Sequence, residues 1–298
     1  MLCSKCRRPA IIYQRYSGLH LCRNHFVADF QAKAKRAVRT HGWLSPGDSI
    51  AVAFSGGKDS AALLHFLHGL TCGRRDLRLY AITIDEGISG YRDPAIAAGI
   101  AETLGVEHHI FSFREAFGTT VDEIVRLRGD SLSCSYCGVL RRRLLNTAAR
   151  SLGANRLALG MNLDDEAQSV LMNTLRGDAP RLTRGDTQRA GLIQRIKPFM
   201  YIPEREVALY AYLHLEGFLA GSCPYAHNAL RADVRNLLND YAWRHPSTRH
   251  SLVRLGEELS SIGTGTGSEP RFCPECGETC GETCRSCQIL AEISRDDE

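Results

Sequence analysis

The spacing of apolar positions changes at a few places along the chain, and those changes divide it. Residues 50–54 form a continuous apolar run of buried-strand type, followed by small residues and a helical pattern over 60–69. The same reading predicts strands over 77–85, 108–113 and 156–160, and helices over 94–104, 139–152 and 163–175. Strands alternating with helices predict an α/β fold with a parallel doubly wound sheet covered on both faces. A further helix is predicted over 26–40, and helical patterns dominate after Gly191. One of these opens at Pro203 with Glu204 and Glu206 in its first turn, where carboxylates complement the helix dipole. Residues 262–270 read as a Gly/Thr/Ser linker. The expected organisation is therefore a small unit at 1–25, a main domain at 26–261 with a basic N-terminal helix, a second small unit at 271–290 and an acidic tail at 291–298.

Composition narrows this little: 44% hydrophobic and 23% charged residues exclude a disordered or fibrous chain. No run approaches the roughly 18 apolar residues of a membrane span, and no signal-peptide core follows Met1, so a cytoplasmic protein without membrane association is expected. The net charge of +4 is unevenly spread. Residues 1–40 carry nine Lys/Arg against one acid, whereas residues 255–298 carry three against ten. A basic front end is either a solvated face or the footprint of a polyanion partner. Only five of the 37 basic residues are lysines, so Lys58 in a glycine-rich turn stands out.

The 12 cysteines fall in groups. Cys3, Cys6, Cys22 and His25 form two ligand pairs, each with the two-residue spacing that brings soft ligands to one tetrahedral zinc. His20 is a competitor, but its spacing from Cys22 is less suitable. Cys273, Cys276, Cys284 and Cys287 repeat the device with four thiolates, leaving Cys280 as a spare. Segments this short cannot bury a core without a staple, and a closed four-ligand shell predicts structural rather than catalytic zinc. Cys72 has no assigned role.

Ser55, Gly56, Gly57, Lys58, Asp59 and Ser60 lie between a predicted strand and a predicted helix. Small residues let backbone N–H groups approach an anion, the helix terminus adds positive potential, and Lys58 adds a point charge. The spacing is not that of a Walker A loop. It resembles the SGGxDS signature of the PP-loop ATP pyrophosphatases, whose adenine nucleotide alpha-hydrolase-like fold binds ATP, transfers AMP to a substrate oxygen and releases pyrophosphate. Attaching AMP turns a carbonyl oxygen into a leaving group that nitrogen or sulfur can displace.

Cys134 and Cys137 precede the predicted helix that carries Arg141, Arg142, Arg143 and Arg150, and Cys223 follows 86 residues after Cys137. By residue type alone they are either a pair that cycles through persulfide and disulfide or three ligands of an iron–sulfur cluster, with a buried apolar cysteine as the plain alternative for Cys223. Cys134-x2-Cys137-Gly138-x2-Arg141-Arg142, the stretch from Gly160 to Gln168 and the stretch from Leu171 to Asp178 resemble the TtuA/NcsA family of tRNA 2-thiouridine synthetases over nearly the whole chain, zinc knuckles included.

That resemblance implies an ATP-dependent tRNA sulfurtransferase that adenylates the C2 carbonyl of a uridine and replaces its oxygen with sulfur. It implies ATP with Mg2+, two structural Zn2+, and a 4Fe-4S cluster on Cys134, Cys137 and Cys223. It also implies a ubiquitin-like sulfur-carrier protein with a C-terminal thiocarboxylate, or another sulfide donor, and a homodimer. It assigns Ser55–Ser60 to the ATP phosphates, Ala53 and Ile84 to the adenine side, and Gly160 with Asp165 to the nucleotide pocket. Lys58, Asp59, Arg141 and Asp165 are the expected catalytic residues. Asp164 and Asp165 both have a competing role as helix-capping carboxylates. Met161 stands where the family often has a histidine, so no role is carried to it. The basic helix, the knuckles and the 139–150 arginines are expected on tRNA phosphates, and Lys197 on ATP, RNA or solvent. The alternatives are a tRNA cytidine 2-thiolase, a PP-loop amidating or lysidine-type ligase that needs no thiols, and a zinc-ribbon RNA-binding scaffold.

Overall fold

The computed structural model describes residues 1–183, 192–219, 221–226, 230–262 and 271–296. The predicted linker at 262–270 lies outside them from residue 263 onward. At its centre is a five-stranded parallel sheet: β3 (Ser49–Ala53), β4 (Arg78–Asp85), β5 (Glu107–Ser112), β6 (Arg156–Ala158) and β7 (Gln194–Ile196), in spatial order β5-β4-β3-β6-β7. β3 is central and is the buried run of the sequence, with Ile50 and Val52 entering one core and Ala51 the other, as the two-residue period requires. The strand order reverses between β3 and β6, the place where a doubly wound sheet opens a crevice at its carboxyl edge.

On one face pack α1 (Arg23–Thr40), α2 (Lys58–Thr71), α7 (Leu163–Leu175) and α9 (Glu204–His214), around Phe26, Phe30, Leu64, Phe199 and Tyr210. On the other pack α5 (Val121–Arg128) and α6 (Ser133–Ser151), around Phe113, Ile124, Leu140 and Leu144. Short helices α3 (Pro94–Thr103), α4 (Phe113–Phe117) and α8 (Ala179–Leu182) connect these layers, and α10 (Leu230–Arg244) and α11 (Thr248–Ile262) close over α7. Among the described residues no helix is long and apolar enough to cross a membrane.

The N-terminal knuckle is an antiparallel hairpin, β1 (Ile12–Gln14) with β2 (Leu19–Leu21), that shares the first core through Ile12 and Leu21. The C-terminal knuckle pairs β8 (Arg271–Phe272) with β9 (Thr279–Cys280) and continues into α12 (Arg285–Asp296). Residues 291–296 are thus helix rather than an acidic tail, because Ile289 and Ile293 recur at helical spacing and are buried in the second core.

Three further expectations are corrected. β7 is a strand inside the region after Gly191 where helical patterns dominate; its three residues, two of them polar, make an edge strand with no apolar run to announce it. The helix read from 139 begins at Ser133, with no side-chain cap to mark its start, so Cys134 and Cys137 stand in its opening turns instead of a preceding loop. The basic helix α1 does not offer all its cations to a polyanion: Lys33 is turned away from solvent, pairing with Asp29 at 2.6 Å and Glu206 at 3.1 Å, whereas Lys35, Arg36 and Arg39 are exposed.

Candidate active site

Ser55 to Gly57 turn the chain from β3 into α2. Gly56 has φ +72°, and a Cβ there would lie 3.0 Å from Leu219 Cδ1, while its carbonyl accepts the Leu219 N–H at 2.8 Å. The Ser55 N–H donates to Ser60 Oγ, which donates to the Gly57 carbonyl, so the loop is shaped before anything binds. Gly160, at the end of β6, packs on this loop: a Cβ would sit 3.0 Å from the Asp59 carbonyl carbon and 3.1 Å from Ser60 N. Its place is therefore one of close backbone approach. A cavity of about 660 Å3 opens beside the loop, lined by Ser55, Gly57, Lys58, Asp59, Ser60, Tyr91 and Arg92, with Leu219 and Ser222 on the far wall. Ala53 ends β3 and Ile84 is the last residue but one of β4, and neither lines the cavity.

Lys58 is held between Asp59 at 2.9 Å and Glu204 at 2.8 Å. Burial opposes its charge, but these two carboxylates raise it above the usual lysine range. Asp59 also accepts from Asn162 Nδ2 at 3.3 Å. Asn162 caps α7, and Asp165 returns to the Asn162 N–H at 3.2 Å, completing a capping box. The structure thus shows Asp165 as a capping residue, with its carboxyl near those of Asp59 and Glu204 and outside the lining of the cavity. Burial pushes its carboxyl up to about 6, assisted by Asp59 and Glu204 and opposed by the Asn162 N–H and by Arg231. Asp164 serves the fold: it accepts the Glu204 N–H at 2.8 Å and pairs with Arg249 at 2.5 Å. Lys197 is also a buried cation, 3.1 Å from Glu166, rather than a solvated one, and it does not line the cavity beside the loop.

Cys134 and Cys137 are one helical turn apart at the start of α6. Cys223 comes from the segment after α9, fastened by Cys134 Sγ donating to the Tyr225 carbonyl at 3.4 Å and by Tyr225 Oη donating to Asp122 at 2.8 Å. Burial pushes the Cys137 thiol up to about 11, while Arg141 pulls it down. The bond from Cys134 to Tyr225, two residues beyond Cys223, and the packing of Cys137 and Cys223 against the same core set the three cysteines along one rim. They do not form a compact single-ion group. The terminal sets do: the ligand atoms of Cys3, Cys6, Cys22 and His25, and those of Cys273, Cys276, Cys284 and Cys287, each lie within 4.8 Å of one another. His20 instead stacks on Tyr13, which removes it from the N-terminal set.

Glu86, two residues beyond Ile84 and only 3% exposed, joins these parts. It pairs with Arg141 at 3.1 Å and Arg92 at 3.4 Å. Glu86, Arg92 and Glu204 were not singled out as site residues, although Glu86 follows the carboxyl end of a parallel strand, where ligands gather in such sheets. Two of the α6 arginines face elsewhere: Arg143 donates to Ser286 at 2.9 Å and Arg150 pairs with Glu278 at 3.3 Å, so both hold the C-terminal knuckle. Arg142 stays exposed; burial of its inner part, with Arg195, Arg141 and Arg181 around it, lowers its pKa from the usual arginine value. That arrangement is a cationic patch beside the cysteine rim.

A doubly wound domain with an SGGKDS loop at its strand-reversal crevice, a thiol rim beside it and a four-ligand knuckle at each end defines a PP-loop nucleotide-binding protein with metal-stapled extensions. Comparison with known proteins narrows the class. Residues 2–27 match the family described as 2-thiouridine synthetase TtuA, N-terminal LIM domain, and residues 27–241 match the PP-loop domain family. The chain is 38% identical over 320 residues to the tRNA 2-thiolation protein NcsA of Haloferax volcanii, covering 98% of this chain and 99% of that one. It is 35% identical over 300 residues to the cytoplasmic tRNA 2-thiolation protein 1 of Drosophila sechellia, covering 98% and 88%. The solved structure of the U34-tRNA thiolase NcsA from Methanococcus maripaludis with its [4Fe-4S] cluster superposes with a TM-score of 0.85 at 33% identity, covering 98% of this chain and 96% of that one. The chain belongs to the TtuA/NcsA family of tRNA 2-thiolation proteins.

Proposed function

We propose that this chain is an ATP-dependent tRNA sulfurtransferase that converts a uridine, U34 by analogy with the Methanococcus maripaludis relative, to 2-thiouridine. The observation that carries this is the adjacency of two centres: the cavity at the SGGKDS loop and the rim of Cys134, Cys137 and Cys223, joined through Arg92, Glu86 and Arg141. A carbonyl must be activated where sulfur can reach it, and this arrangement does both without moving the base far.

In this reading the loop N–H groups and Lys58 hold the ATP phosphates, with Asp59, Asp165 and Glu204 facing the accompanying Mg2+. The uridine O2 forms a bond to the α-phosphorus, the bond to the β-phosphate oxygen breaks, and pyrophosphate leaves with the electron pair. Hydrosulfide then forms a bond to C2, its proton passes to solvent, and the C2–O bond breaks as AMP departs with that oxygen. No net redox change occurs. Arg141 meets the negative charge that attack at C2 moves onto the adjoining ring nitrogen and the departing oxygen. The donor set of the rim, three cysteines too widely set for one zinc, fits a 4Fe-4S cluster, and such a cluster supplies a sulfide-binding position at its iron without a protein ligand. The terminal quartets suit structural Zn2+. The exposed face of α1 and the patch around Arg142 suit tRNA phosphates. A thiocarboxylated ubiquitin-like carrier or free sulfide as donor, a homodimer, and a cytoplasmic setting complete the proposal.

The test is anaerobic incubation of metal-loaded protein with ATP, sulfide and unmodified tRNA. Equal amounts of AMP, pyrophosphate and 2-thiouridine are expected, and Cys223→Ala should bind ATP yet incorporate no sulfur. Formation of 2-thiocytidine would establish the cytidine alternative. AMP and pyrophosphate release that continues without sulfur incorporation and survives loss of all three cysteines would establish the ligase, and absence of ATP binding the RNA-binding scaffold.

A further inference from the structure

Between the cavity and the thiol rim runs the segment from Glu86 to Asp93. Arg92 has φ +53°, a left-handed backbone that is unfavourable for a non-glycine residue and persists only where its surroundings fix it. They do so here from both sides. The guanidinium lies 4.8 Å from the Tyr91 ring centroid and pairs with Glu86, while Asp93 caps α3 by accepting the Ala95 N–H at 2.8 Å, with Pro94 opening the helix. The result is a guanidinium lining the same cavity as Lys58, Asp59 and Ser60. Glu86 is buried and pairs with two guanidiniums, so one carboxylate is shared by two positive charges and cannot neutralise both. The surplus charge faces the cavity on one side and the thiols on the other.

We propose that Arg92 is a catalytic residue that binds the α-phosphate of ATP and then the same phosphate in the adenylated base, and that Glu86 is the positioning residue that aims Arg92 and Arg141 at it. The proposal rests on the thiolation reading above. Of the three ATP phosphates, only the α-phosphate must serve both centres, because it joins the carbonyl oxygen in the first step and leaves with it in the second. A guanidinium presents a planar fork of donors that matches two nonbridging phosphate oxygens. Negative charge grows on those oxygens' side as pyrophosphate leaves and again as AMP leaves, and a fixed cation there stabilises both transition states.

The variants Arg92→Ala, Arg92→Lys and Glu86→Gln, in full-length metal-loaded protein, test this by pyrophosphate release with tRNA, ATP affinity, iron per chain and thermal midpoint. Arg92→Ala should slow pyrophosphate release about 100-fold or more, the scale of losing one transition-state donor, with iron content and thermal midpoint unchanged. Arg92→Lys should recover part of the rate, since it keeps the charge but not the fork. Glu86→Gln keeps an acceptor but loses the charge, and should lower kcat about tenfold with a smaller change in KM for ATP. Wild-type pyrophosphate release in Arg92→Ala overturns the proposal, and so does a loss of iron parallel to the loss of rate, which would make Arg92 a support for the cysteines. If the unsubstituted protein releases no pyrophosphate with ATP and tRNA, the thiolation reading itself fails and the proposal falls with it.

Discussion

Asp165 closes the capping box of α7 in a buried setting, with the charges of Asp59 and Glu204 nearby, so its ionised form is disfavoured by the fold it helps to start. Its pKa of about 6 stands above the unfolded carboxylate value, so its protonated form contributes stability that is present below the unfolded pKa and lost as pH rises through 6. Asp165→Asn, which keeps the capping oxygen, is therefore expected to raise the thermal midpoint at pH 8 without added magnesium by a few degrees, on the order of 2–4 °C per kcal/mol for a chain of this size. The gain should shrink between pH 7 and pH 5 and vanish near pH 4, while pyrophosphate release is lost at every pH. A lower midpoint at both ends of the range would mean that the cap outweighs the buried charge. Gly160 makes the complementary case through backbone alone. Gly160→Ala sets a Cβ against the Asp59–Ser60 peptide, which cannot yield as a side-chain end could. We expect ATP affinity measured by calorimetry to fall at least about tenfold, at a stability cost of about 1–3 kcal/mol.

Helix α6 carries Cys134, Cys137 and Arg141 at one end and receives the C-terminal knuckle along the rest. Glu278, 7% exposed, accepts from Asn146 Nδ2 at 2.8 and 3.0 Å and from Thr147 and Arg150, while Asn146 Oδ1 accepts the Ile193 N–H at the entrance to β7. Glu292 adds Tyr136 at 3.3 Å, and its carbonyl accepts from Arg128 at 2.7 Å. The knuckle thus braces the helix that bears two thiols. Glu278→Ala strands the buried Asn146 donors, a loss of about 1–3 kcal/mol. The expected outcome is a lower thermal midpoint and a faster loss of iron from reconstituted protein, with Glu278→Gln intermediate. Iron retention equal to wild type would show that the knuckle rides on α6 without supporting its cysteines. The apolar pattern marks α6 only from residue 139, six residues after its start, because the uncapped first turn carries no local signal; that both cysteines belong to the helix is visible only in the fold.

Over the whole molecule the positive charge is sorted by what each cation already holds. Lys33 is engaged by Asp29 and Glu206, and Arg143 and Arg150 by the C-terminal knuckle, whereas Lys5, Arg7 and Arg8 of the N-terminal knuckle and Lys35, Arg36 and Arg39 of α1 stay exposed and carry the front-end excess of charge to solvent. Reversing the three α1 residues to Glu should weaken tRNA binding at least about tenfold and reduce the salt slope by about 0.7–0.9 for each phosphate no longer neutralised, leaving ATP affinity intact. Arg150→Ala should barely change the slope. Equal slopes for the triple variant and wild type in filter-binding titrations would remove α1 from the RNA interface.

The two ligand quartets, the SGGKDS loop and the alternating strand–helix order were legible in the sequence because each is written in adjacent or short-spaced residues, where backbone period and ligand geometry act locally. Even the Asn162–Asp165 cap can be read that way. The pairing of Lys58 with Glu204, the seat of Arg92 beside the phosphate loop, the bond from Gly56 to Leu219 and the grip of Glu278 on α6 join residues from 34 to 163 positions apart. Only the parallel sheet, by collecting its loops at one edge, and the docking of α12 on the opposite face brought those groups together. Charge could be counted from the sequence, but which charges remain free was decided by burial and pairing.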